Sequence, residues 1–253
     1  MQIISTALTS TAYEDFKNQH LSLDVVVTGF SHVSVSPYNR KEPVSQKLRT
    51  CLEHARVYQR SIKKNSSVIV QGHEITSSVL AEGLEYFCRA FYNFYAHDEL
   101  IQHGYSTWSG VTNYYASLFC LHSLLRLQGR SITRIWRESD GRQFYIFPHD
   151  FVGHEYVVCP ERRPHHGATF ELYYSVYDSF YYPKNPPLEY AFKRKYVGTA
   201  EEESDFRNQI NYVPYQGYQE VRDPRLVPDI IKRYVEKFSQ NEVEALTALT
   251  TDP

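Results

Sequence analysis

The stretch Ser106-Thr-Trp-Ser-Gly-Val-Thr-Asn-Tyr-Tyr-Ala-Ser-Leu-Phe-Cys-Leu-His-Ser-Leu-Leu-Arg-Leu-Gln128, closed by Gly129, decides the fold class. Val111, Tyr114, Tyr115, Leu118, Leu121, His122 and Leu125 fall at helical spacing and form one apolar stripe. Gly129 stands where a helix C-terminus takes a left-handed residue. A long amphipathic helix at the centre of the chain points to a mainly α protein.

Upstream, Ile75 to His97 reads as a second long helix. Its second half, Leu84 to Tyr95, is apolar on nearly every side, which predicts burial. Arg89 in that setting needs a partner or a path to solvent. Val44 to Lys64 reads as a third helix, with a basic opposite face that is either solvated or turned to an anionic partner. Leu23 to Phe30 (LDVVVTGF) is β-branched and reads as a strand or a packing arm.

Downstream the period changes. Ile132–Trp136, Gln143–Phe147, Tyr156–Val158 and Thr169–Tyr177 are short and rich in β-branched or aromatic residues. Ser139-Asp-Gly-Arg between the first two is a hairpin signal. These segments predict a small antiparallel sheet inserted between helical portions. Helical character returns with a capping box at Thr199-Ala-Glu-Glu. That helix should end at Val213, because Pro214 cannot continue it. Pro228–Phe238 and Asn241–Leu249 read as two more. The predicted organisation is an N-terminal arm over 1–43, a helical bundle over 44–130 and 188–253, and a β-rich aromatic insertion over 131–187.

Composition bounds the function. With 253 residues, 42% hydrophobic and 22% charged, the chain can bury a sizeable core. A net charge of -2 excludes a global basic field for nucleic acid but not a local patch. The N-terminal Met1-Gln-Ile-Ile-Ser carries no basic, apolar leader pattern, and no run is long enough to span a bilayer, so a cytoplasmic protein with no membrane contact is expected. The four cysteines, Cys51, Cys88, Cys120 and Cys159, make no C-x-x-C pair and read as buried thiols. No phosphate-binding loop, dinucleotide fingerprint, nucleophile elbow or H-E-x-x-H is present, and no cofactor is expected.

Three constellations can carry chemistry. His149, Asp150, His154, Glu155, Cys159, His165 and His166 are metal-capable types, but their spacing matches no zinc module, and polar surface histidines are expected. Tyr173, Tyr177 and Tyr181 belong to the densest of several clusters among 22 tyrosines, with Arg162 and Arg163 just before them. An aromatic face of this kind fills a core, docks a partner or stacks unpaired bases. On the helix before Pro214, Arg207 and Asn211 are i,i+4 neighbours, as are Asn208 and Tyr212. A row of Arg, Asn and Tyr can grip a phosphate, cap neighbouring carbonyls or pair across a dimer.

Two of these stretches together resemble the HEPN superfamily of helical bundles. Ser109 to Gly129 is similar to its "YYA…H…LL…G" helix. Asp205-Phe-Arg-Asn-Gln-Ile-Asn-Tyr212 is similar to its later helix, where an Arg and a polar residue precede a His. The resemblance implies a homodimer and an RNA-directed protein, either a metal-independent ribonuclease or an RNA binder of a bacterial defence or toxin–antitoxin system. Arg207 and Asn208 carry over. The histidine does not: its place falls on Tyr212, whose hydroxyl titrates near pH 10 and is a poor base at neutrality. Catalysis would then need a distant histidine such as His122 or His97. The alternative is a non-catalytic scaffold subunit that dimerises and docks a partner ATPase or nuclease encoded nearby.

Overall fold

The computed structural model describes residues 2–4, 19, 21–31, 43–54, 67–135, 143–161 and 165–181. Among these, helices predominate. They are α1 (Leu23–Phe30), α2 (Val44–His54), α3 (His73–Gln102), α4 (Ser106–Leu127) and α5 (His165–Tyr181). The strands are β1 (Gln2–Ile4), β2 (Val68–Gln71), β3 (Ser131–Arg134), β4 (Gln143–Asp150) and β5 (Glu155–Glu161). The protein is mainly α with a small antiparallel β part. No described helix is long and apolar enough to cross a membrane.

All strand pairings are antiparallel, in the order β1-β2-β5-β4-β3. β3, β4 and β5 come from the segment expected to be β-rich. β1 and β2, which the sequence reading missed, extend the sheet from the N-terminal side, with Val70 opposite Tyr156. Strands of three and four residues are too short to establish a period. Phe144 to Pro148 are buried without alternation, as expected of a strand covered on both faces. On one face Val70, Phe144, Ile146, Tyr156 and Val158 join Val26, Val44, Leu48, Leu52, Ile75 and Val79 in one core. α5 contacts β3.

Two segments read as extended are helical. In α1 the Ser22 hydroxyl accepts from Val25 N–H at 3.4 Å, and Asp24 suits the positive end of the helix. Burial of Val26 and Gly29 outweighs the β preference of three consecutive valines. In α5, which includes Thr169–Tyr177, the buried residues among the described side chains are Ala168, Thr169, Phe170, Leu172, Tyr173 and Val176. Their i,i+4 pairs, 168/172, 169/173 and 172/176, are helical spacing. The helix running from Val44 is described as far as His54, and α3 extends five residues beyond the expected His97, to Gln102. The expected helices beyond residue 199 lie outside the described residues.

The β4–β5 turn, Phe151 to His154, locks onto the helices through one ring. Phe151 is 3% exposed. A Cβ built on Gly29 would lie 2.4 Å from its Cδ1, and one on Gly129 would lie 2.6 Å from its Cε2. Phe30 meets the same ring edge-on at 5.0 Å and Tyr156 at 6.2 Å. Gly129 has a second reason to be glycine. It follows α4 with φ +69°, Gly129 N–H donates to Arg126 O, and Arg130 N–H donates to Leu125 O. That is the helix ending the sequence predicts.

The chain divides into two compact units. Of the described residues, the first holds the sheet, α1, α2, α5 and the portions of α3 and α4 up to Phe91 and from Ala116. The second holds Tyr92–Tyr115, where the Ser109 hydroxyl lies 2.7 Å from His97 Nδ1 and joins the two helix ends.

Candidate interaction surface

The polar centre of the α3–α4 pair is closed. Arg126 is 2% exposed, and its Nε and Nη2 donate to Glu82 Oε2 at 3.0 and 2.9 Å. Glu82 Oε1 accepts from Val44 N–H at 2.7 Å, so this carboxylate also anchors the start of α2. The Arg126 guanidinium lies 4.3 Å from the centroid of the Tyr86 ring. His122, the expected acid or base, is 2% exposed and stacks on the same ring at 4.8 Å. Its Nδ1 lies 3.3 Å from Arg126 Nη1. A guanidinium only donates, so Nδ1 accepts and the ring proton sits on Nε2. His122 is a packing residue that receives a hydrogen bond.

The histidines of the β4–β5 region are half-buried and engaged. His149 Nδ1 lies 3.1 Å from Glu155 Oε2, and Gln71 Nε2 donates to Glu155 Oε1 at 3.3 Å. Tyr156 OH donates to Thr76 Oγ1 at 2.8 Å, and that hydroxyl lies 2.9 Å from His154 Nδ1. Burial pushes the phenols of Tyr145 and Tyr156 well above the usual tyrosine range. These contacts tie the sheet to the start of α3. Among the described residues no three metal-capable side chains converge. Cys159 and Cys51 are buried, whereas Cys88 and Cys120 are exposed.

The open feature is α3 itself. Phe87, Phe91, Tyr92, Phe94 and Tyr95 are between 51% and 73% exposed. At 100° per residue they fall on one side of the helix with Leu84 and Cys88. The expectation that this segment is buried all round is therefore corrected: Gly83 and Ala90 face inward, and the aromatic side faces out. Tyr92 and Tyr95, expected in the core, are on the surface, while Tyr114 is buried. Arg89 takes the path to solvent and pairs with Glu85 one turn back.

Of the residues expected to bind or react, the structure describes few. Tyr173 is 4% exposed on α5, so it fills the core and offers no stacking platform. The backbone of α5 carries Tyr177 and Tyr181, whose side chains are not described. Arg162, Arg163, Arg207, Asn208 and Tyr212 lie outside the described residues. The α3 surface was missed, although Leu84, Phe87, Phe91 and Phe94 repeat at intervals of three, four and three, the seam spacing of paired helices. No family model, curated protein or solved structure matches this chain.

Proposed function

We propose that this chain is a HEPN-like interaction subunit that works by docking through α3 rather than by catalysis. The observation that carries the proposal is the exposure of large aromatic side chains on α3, Phe87 and Phe91 in the first unit and Tyr92, Phe94 and Tyr95 in the second. Large aromatic side chains left exposed beside one another mark a binding surface on a folded protein. The surroundings of the patch oppose nucleic acid as its occupant. Glu85, Asp98 and Glu99 flank it, and its only arginine, Arg89, is paired to Glu85.

Incubation of purified protein with a pool of cellular RNA tests this against the RNA-directed reading. We expect no cleavage, and no change in RNA handling on Arg207→Ala. Cleavage or binding that Arg207→Ala abolishes would overturn the proposal. It would favour a cleft lined by Arg207, Asn208 and Tyr212, in a ribonuclease or RNA binder of a defence or toxin–antitoxin system.

A further inference from the structure

We propose that the cluster of Tyr86, His122, Arg126 and Glu82 is an acid-sensitive joint. Uptake of a proton by His122 loosens the hold of α3 on α4 and on the start of α2. The proposal goes beyond the docking reading above and does not depend on it. Three observations carry it.

The first is the hydrogen bond that fixes the state of the ring. Arg126 Nη1 lies 3.3 Å from His122 Nδ1, and that nitrogen accepts only while the imidazole is neutral. A proton on Nδ1 would turn the acceptor into a donor aimed at a guanidinium. The hydrogen bond would be lost and two like charges would meet.

The second is burial. His122 and Arg126 are both 2% exposed, so solvent relieves neither charge. Charged and titratable groups face the ring from two helices. α4 supplies Arg126. α3 supplies Tyr86, stacked on it at 4.8 Å, and Glu82, which reaches it through Arg126. Glu82 already balances Arg126, so a charged imidazole would add a net positive charge to a buried cluster. Tyr86 offers that charge little, because its ring already faces Arg126 at 4.3 Å and Arg89 at 5.5 Å.

The third is the lack of slack. At Gly83 the α3 backbone comes so near that a Cβ would lie 3.0 Å from Arg126 Cβ. Arg126 therefore has little room to withdraw from a charged ring. A shift of its guanidinium also pulls on Glu82, whose Oε1 accepts from Val44 N–H at 2.7 Å and anchors α2. Charge on His122 is thus felt where three helices meet.

A histidine held neutral in the fold contributes stability that is complete above its unfolded pKa, about 6.5, and is lost as pH falls below it. The chain has 11 histidines, so comparison with His122→Gln carries the test rather than the bare pH profile. Glutamine still offers Arg126 an acceptor but takes up no proton. Urea unfolding of the full chain is followed from about pH 7.5 to about pH 5. Relative to His122→Gln, the wild-type unfolding equilibrium constant is expected to rise by up to about tenfold per pH unit below about 6.5. Parallel profiles, or a wild type that gains on the variant in acid, overturn the proposal. Amide hydrogen exchange in the wild type keeps the test decisive if the variant does not fold. After correction for intrinsic rates, amides at the start of α2, Val44 among them, should lose protection over the same range while those of Ile146 and Val158 keep theirs. Unchanged protection at α2, or an equal loss across the sheet, overturns the proposal as well.

Discussion

Glu82 does two jobs with one carboxylate: it neutralises the buried guanidinium of Arg126 and receives the first amide of α2. Glu82→Ala should destabilise the protein by about 3 kcal/mol, because it strands a buried charge. Urea unfolding midpoints will read this. The paired change Glu82→Leu with Arg126→Met should recover most of the loss, since a well-packed apolar pair can replace a buried ion pair. A second prediction concerns Glu74 in the first turn of α3. A hydrogen bond from its own backbone N–H, with help from His73 and Lys47, holds its carboxyl below the ordinary glutamate value of 4.5. A lowered pKa contributes stability above that ordinary value, lost as pH falls through the folded one. Glu74→Gln should therefore cost about 0.5 kcal/mol at pH 7, the usual size for a charge at a helix start. The gap between variant and wild type should close as unfolding is measured at progressively lower pH below 4.5. At this scale the sequence was a partial guide. Gly129 was legible because its backbone role follows from position in a single helix. His122 was legible as a member of the apolar stripe, but its stacking on Tyr86 was not, because that ring arrives from a different helix.

Elements were legible where one period persists. α4 spans 22 residues and α3 spans 30, long enough for apolar spacing to override local preference. α1 and α5 were misread because valine and tyrosine favour strands, while tertiary burial at helical spacing decided otherwise. The helices and the sheet meet at Phe151, whose ring fills the space that side chains on Gly29 and Gly129 would need. Gly29→Ala should cost at least about 2 kcal/mol through overpacking. Phe151→Leu alone should also destabilise, by roughly 1–2 kcal/mol, through loss of contacts in a packed core. The two changes combined should cost less than their sum, because the smaller side chain at 151 admits the new methyl group. A thermal-unfolding double-mutant cycle with purely additive losses would refute that coupling.

Across the whole molecule, the class of the fold was readable and its sheet only partly so. β3, β4 and β5 were visible as a local series, whereas the partnership of β2 with β5 is a long-range fact that no window of sequence contains. The same strand order sets a timetable for folding. β3, β4 and β5 close through short connections, but β2 must wait for the 30- and 22-residue helices between it and β5 to be placed. Contacts of high sequence separation form late when local ones can nucleate first. Stopped-flow kinetics should therefore distinguish two buried positions on one sheet face. Ile146→Val in β4 should slow folding, while Val70→Ala in β2 should mainly speed unfolding. The sheet's inner pair is thus a nucleus, and its outer edge on the β1 side a closure made last and released first.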